Sequence, residues 1–244
     1  MKSRLIAALA VSVLVLGGCS KKQEAPPVSQ GPVAPVPPPA GKSWTDIVQE
    51  TPDGGMRMGN PDAPVKLVEY ASFTCPHCRD FTAEAAEKLK SDYIASGKVS
   101  WEFRSFLLHG QDVMATLLVQ CRGPQTFFPL AEQVFAAQDE WIGKLMKLSP
   151  DEQKRIAALP PEEQFKATAK ASDLDGFMKA RGLPAAQADA CLSDKKAMDK
   201  LTAMRDKAVS DGVNGTPTFF INGKIQDEVY TWPALEPKLK AAIG

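Results

Sequence analysis

A chain of 244 residues with 29 basic and 29 acidic side chains has no formal net charge, which argues against the basic surplus a nucleic-acid binder needs to neutralise phosphates. Its 44% hydrophobic and 24% charged residues suit a globular protein of one large domain or two small ones, too long for a disulfide-held miniprotein. Five cysteines in this length make no disulfide scaffold, so each is read in its own context.

Lys2 and Arg4 precede an apolar run from Leu5 to Leu16 that is too short to span a bilayer. Leu16-Gly17-Gly18-Cys19 follows and resembles a bacterial lipobox. Residues 1–18 are expected to be a lipoprotein signal peptide, with Cys19 the lipidated first residue of the mature chain. The alternative is a plain secretory signal with a chance cysteine. Either signal exports the chain to an oxidising compartment, and acyl chains on Cys19 would hold it at a membrane surface. Residues 19–43 form the anchor and a proline-rich linker, with prolines from Pro26 to Pro39 and almost no large apolar side chain. Such a stretch favours extended polyproline II and would reach roughly 50 Å from the membrane.

The fold is expected to begin near Trp44. Met56 to Met58 reads as a short edge strand, and Val65 to Ala71 as a strong strand, β-branched and aromatic, after the Asn60–Pro64 turn cluster. A helix from Pro76 to Ala95 ends at Gly97, and Lys98 to Leu108 is the second main strand. From Gln111 to Asp211 the chain is rich in Ala, Lys, Glu, Leu and Met, and Gly123-Pro124, Pro160-Pro161 and Gly182-Leu183-Pro184 cut it into helices. Thr218 to Ile221 is a strand, Asn222-Gly223 a hairpin turn, and Lys224 to Tyr230 the returning strand. Trp232 to Ile243 closes the chain as a helix with Pro233 in its first turn. This order predicts an α/β domain over 44–110 and 212–244, split by a helical domain over 111–211.

The chemistry sits at Cys75-Pro76-His77-Cys78, after a strand and opening a helix, the setting that makes C-x-x-C a redox motif. Two intervening residues on a first helical turn bring the sulfurs within bonding reach. Unpaired N–H groups and the positive end of the helix dipole favour a thiolate at Cys75. Pro76 suits the first turn because its missing N–H costs nothing there. His77, when protonated, would add positive charge beside the thiolate. A stabilised thiolate is a good leaving group, so the disulfide form is readily given away.

The segment Val68-Glu69-Tyr70-Ala71-Ser72-Phe73-Thr74-Cys75-Pro76-His77-Cys78 closely resembles the active-site segment of DsbA-type disulfide oxidases. The resemblance, over residues 54–244, implies a thioredoxin fold interrupted by a helical domain. It also implies that Gly215-Thr216-Pro217-Thr218 holds a cis proline facing the cysteines, with the Thr216 backbone binding extended substrate by strand addition. Threonine at 216, where some members carry valine, is a departure expected to tune redox potential and substrate binding. Glu69 is implied as a buried acid that accepts the proton of Cys78 as a base, against the plainer reading of an ordinary acid on a partly exposed strand face.

Cys121 and Cys191 would close a loop of about 70 residues if paired. The resemblance permits a second disulfide here; buried free thiols, or a four-cysteine zinc site with Cys75 and Cys78, are the alternatives. His109 reads as a loop histidine. Phe127, Phe128, Phe135 and Met178 read as core, or in part as an apolar groove beside the cysteines. There is no glycine-rich phosphate loop or nucleophile elbow, and neither cofactor nor metal is expected.

The expected protein is therefore a periplasmic, lipid-anchored, monomeric thiol–disulfide oxidase. Reduced, unfolded exported proteins would be its substrates and a DsbB-type membrane protein its reoxidant. A reductase or isomerase of the same fold is the nearest rival. A lipoprotein that binds unfolded chains or zinc without turnover is the rival from another class.

Overall fold

A computed structural model describes residues 33–244. The signal segment, Cys19 and the first part of the linker lie outside the described residues. Six strands form one mixed sheet: β1 (Val48–Glu50), β2 (Met56–Gly59), β3 (Val65–Ala71), β4 (Val99–Ser105), β5 (Thr218–Ile221) and β6 (Lys224–Ile225). Their order is β1-β2-β4-β3-β5-β6. The central β3 and β4 run parallel, from the pair Val65 and Val99 to the pair Ala71 and Ser105. All other neighbours are antiparallel.

The two central strands are buried on both faces because side chains alternate about the sheet. On one face Trp101 meets Phe128, Phe103 meets Phe127, and Phe219 meets Phe81, with ring centroids 4.6–5.2 Å apart. On the other, Tyr70 and Phe106 pack with Ala208 and Val213.

Helix α1 (Pro76–Lys88) starts directly after the β3 loop and passes into a π-helical stretch over Leu89–Ile94. Gly97, at φ 71°, then turns the chain into β4. Between β4 and β5 lie α2 (Gly110–Gln120), α3 (Phe127–Ala136), α4 (Gln138–Met146), α5 (Pro150–Ala157), α6 (Pro161–Ala171), α7 (Leu174–Ala180), α8 (Ala185–Leu192) and α9 (Lys195–Ser210). Helix α10 (Trp232–Ile243) ends the chain. This is a thioredoxin-type sheet interrupted by a helical insertion, as expected. The insertion shares one continuous hydrophobic core with the sheet, in which Phe73 stacks against Phe103 and Phe135 at 5.6 and 4.9 Å.

Several elements differ from expectation. Met56–Gly59 is not an edge strand, because the three-residue β1 pairs outside it. The returning strand stops at Ile225, and Glu228 sits in the left-handed region at φ 59°, which breaks the extended run. Phe127, Phe128, Phe135 and Met178 are all at most 1% exposed, so they are core and line no groove. The described end of the linker is bound to the fold. Val33 N–H donates to Ile243 O (2.8 Å), Val36 N–H to Ser96 O (3.0 Å), and the Trp44 indole to Val36 O (2.7 Å).

Candidate active site

The loop after β3 delivers Cys75 to the N-cap of α1, with extended backbone at φ −84° and ψ 120° and Pro76 as the first helical residue. An N-cap side chain ordinarily accepts from the second or third N–H of the helix. Here the cap atom is sulfur, and those donors belong to His77 and Cys78. As a thiol, Cys75 donates to the Thr216 carbonyl at 3.3 Å. As a thiolate it is stabilised by a hydrogen bond from the Cys78 thiol, then by the Thr216 hydroxyl and the Cys78 and His77 N–H groups, against the cost of burial. Together these pull its pKa from 9.0 to about 5. Burial, followed by the neighbouring Cys75, pushes Cys78 well above the ordinary thiol value. The two sulfurs are thus chemically unlike. Cys75, 6% exposed against 0% for Cys78, is the charged one, and Cys78 holds its proton.

Thr216 and Pro217 face this pair across the site, joined by a cis peptide bond. The Thr216 hydroxyl is buried and has no hydrogen-bond partner in the reduced site. Beside them runs an open groove of about 560 Å³ lined by His77, Gly215, Thr216, Pro217 and Tyr230. His77 is exposed at its mouth, and its backbone N–H is among the groups that stabilise the thiolate.

Glu69 lies on β3 between Phe103 and Phe219, 0% exposed. The half-exposed alternative is therefore excluded. Its Oε2 accepts from the Trp101 indole at 2.9 Å, while Oε1 has no partner. Burial is the main cause that raises its pKa from 4.5 to about 8; the Trp101 bond opposes this and the Cys75 charge adds to it. Its charge would in turn disfavour ionisation of Cys78.

Two buried polar residues at the site escaped the sequence reading. Asp112, in the first turn of α2, accepts through Oδ1 from Ser72 Oγ (2.7 Å) and Thr74 N–H (2.9 Å). Its Oδ2 accepts from Thr74 Oγ1 (3.1 Å) and the Leu108 and His109 N–H groups (both 2.9 Å). Gln138, which opens α4, donates from Nε2 to Phe73 O (2.8 Å) and Cys75 O (2.9 Å). His109 caps α2 and places Nδ1 3.1 Å from Thr74 Oγ1. It also lines a groove of about 600 Å³ with Ile142, Leu145, Met146, Ile156 and Phe165.

Cys121 and Cys191 are joined, with Cα atoms 5.8 Å apart. This removes the free-thiol and four-cysteine zinc alternatives. The bridge ties the C-terminal cap of α2 to α8 and lines a separate groove with Glu50 and Lys200.

Comparison with known proteins gives a consistent picture. The model of the family described as Thioredoxin matches residues 51–241. A structure of protein-disulfide isomerase from Novosphingobium aromaticivorans is 33% identical, with a TM-score of 0.74 over 77% of this chain and 96% of that one. Wolbachia pipientis alpha-DsbA1, 24% identical with a TM-score of 0.61 over 83% of this chain and 96% of that one, shares the fold. A Rickettsia bellii protein provisionally named a protein-disulfide oxidoreductase is 29% identical over 195 residues, 78% of this chain. The chain spans 65% of that relative's length.

Proposed function

The chain belongs to the thioredoxin family, in its DsbA-like group, and from that premise we propose that it is a thiol–disulfide oxidoreductase that donates its Cys75–Cys78 disulfide to exported proteins. The observation that carries this reading is the unequal pair of sulfurs, one drawn down to a pKa of about 5 at a helix N-terminus and the other pushed up by burial. In the oxidised enzyme a substrate thiolate attacks Cys75 Sγ, the bond to Cys78 breaks, and Cys78 leaves with the electron pair. Cys78 takes a proton, for which the protonated Glu69 carboxyl is the buried source. A second substrate thiolate then attacks the substrate sulfur of the mixed disulfide, and Cys75 departs as the thiolate this site favours. The substrate loses two electrons and two protons. Glu69 recovers its proton from solvent, so the enzyme gains both electrons and a net one proton, and the other proton stays in solvent.

The Thr216 carbonyl, 3.3 Å from Cys75 Sγ at the edge of a groove, suits strand addition by an extended substrate. We place the protein in the periplasm as a monomer, anchored through lipid on Cys19 and reoxidised by a quinone-linked membrane partner of the DsbB type. These assignments rest on the lipobox and on the resemblance described above.

The name of the Novosphingobium relative favours a second reading, in which the same pair works in its reduced form as an isomerase. The test is to mix the oxidised chain with a reduced, unfolded polypeptide. The oxidase reading expects disulfides to appear in the polypeptide and thiols at Cys75 and Cys78. Activity confined to the reduced chain acting on a scrambled disulfide protein would establish the isomerase instead.

A further inference from the structure

The insertion touches the catalytic turn through a buried amide that packing does not require. Gln138 is 1% exposed, and burying an amide is unfavourable unless its groups are hydrogen-bonded. An apolar side chain of the same length would fill the space as well. Its two donor contacts go to the carbonyls of Phe73 and Cys75, at 2.8 and 2.9 Å, which lie on either side of the nucleophile's N–H. The Cys75 carbonyl is also the first helical acceptor of α1, receiving Arg79 N–H at 3.2 Å. Its direction therefore fixes how Cys75 enters the helix. Asp112, also 1% exposed, holds Ser72 and Thr74. The turn from Ser72 to Cys75 is held by two buried polar residues of the insertion.

We propose that Gln138 is a positioning residue for the redox chemistry: held between the Phe73 and Cys75 carbonyls, it fixes the N-cap backbone that sets Cys75 Sγ at the start of α1 and against the Thr216 carbonyl. This deepens the proposed function and rests on it. Hydrogen bonds to sulfur weaken steeply as their angle opens, so a slack N-cap loses thiolate stabilisation before it loses the helix. The insertion is then part of the active site and acts through the backbone of the nucleophile.

The test is Gln138→Met, which keeps length and volume and removes both donors. Three readouts are taken on the whole chain: the Cys75 thiolate absorbance against pH, the equilibrium of the Cys75–Cys78 pair with glutathione, and the denaturant midpoint. The expected result is a Cys75 titration raised by about one pH unit, a tenfold effect, and an equilibrium shifted toward the enzyme disulfide. A folded variant that is less stable but has an unchanged titration and equilibrium would overturn the proposal, since that is what a merely structural residue gives. If Gln138→Met does not fold, Gln138→Asn decides. Its shorter amide cannot hold both carbonyls, so a raised titration supports the positioning role and an unchanged one refutes it. A wild-type Cys75 that itself titrates like a free thiol would overturn the oxidase reading as well, which separates the two failures.

Discussion

Cys75 stands where an N-cap usually places a serine or aspartate oxygen, and that substitution of sulfur for oxygen sets the chemistry. Because the Cys78 thiol and the backbone N–H groups stabilise the thiolate independently of the imidazole, a His77→Ser variant should keep part of the effect. Its thiolate absorbance is expected to titrate well below 9, whereas a return to the free-thiol range would assign the depression to the imidazole. Glu69 carries the opposite perturbation. Its carboxyl ionises at 4.5 in an unfolded chain and at about 8 in the fold, so the fold favours the protonated form. That contribution is fully present below 4.5 and is lost as pH rises through 8. Glu69→Gln keeps an acceptor for Trp101 and removes the ionisation. It should be more stable than wild type at pH 7, by an amount on the order of a few kcal/mol, with the gap closing toward pH 4.5. It should also release Cys78 more slowly from the disulfide. Denaturant unfolding across pH and stopped-flow reduction measure the two effects. At this scale the sequence was legible where chemistry is local. Cys75 to Cys78 and Thr216-Pro217 are contiguous motifs, and Glu69 sits six residues before the nucleophile. Asp112 and Gln138 were not legible, because a buried polar residue on a helix has the same letter as a solvated one. Their partners in the turn before α1 also lie 38–40 and 63–65 residues away.

At the scale of elements, patterns that are long and regular could be read directly. β3 and α10 have the bounds their periodicity and flanking turns implied. β1 has three residues, two of them polar and exposed, and exists because β2 offers it an edge. The π-helical stretch after α1 has no residue signature, so the expected single helix ran on to Ala95. The Cys121–Cys191 bridge is also an element-scale feature, since it fastens α8 to α2. A Cys121→Ala, Cys191→Ala double variant is expected to lose about 2–5 kcal/mol of stability and to keep the wild-type Cys75 titration. Denaturant midpoints and thiolate absorbance check both halves. A shifted Cys75 titration would mean that the bridge reaches the active site through α2.

Across the whole molecule, the sheet separates two poles. The strap from Val33 to Trp44 binds beside Ser96 and Gly97, just before β4 begins, while Cys75 follows the other end of β3. Trp44→Ala removes the bond to Val36 and the buried indole that covers Gly97. Limited proteolysis should then cut within 33–43 much faster, with the Cys75 titration unchanged; equal cutting rates would show that the strap holds without Trp44. A composition rich in proline predicts an extended segment, and it is silent on whether that segment lies against the fold.

Disulfide donation depends on the Cys75 thiolate of the reduced enzyme, and the most direct measurement of it is denaturant unfolding of the chain with the Cys75–Cys78 pair reduced and oxidised, the Cys121–Cys191 bridge intact in both. The fold lowers the Cys75 pKa from 9.0 to about 5. Thiolate stabilisation is therefore fully present above 9.0 and is lost as pH falls through 5. An ordinary disulfide stabilises the state that contains it. Here the reduced form should be the more stable at neutral pH, with the difference shrinking on acidification. An oxidised form more stable than the reduced one at neutral pH would contradict the account and leave the isomerase or reductase reading in its place.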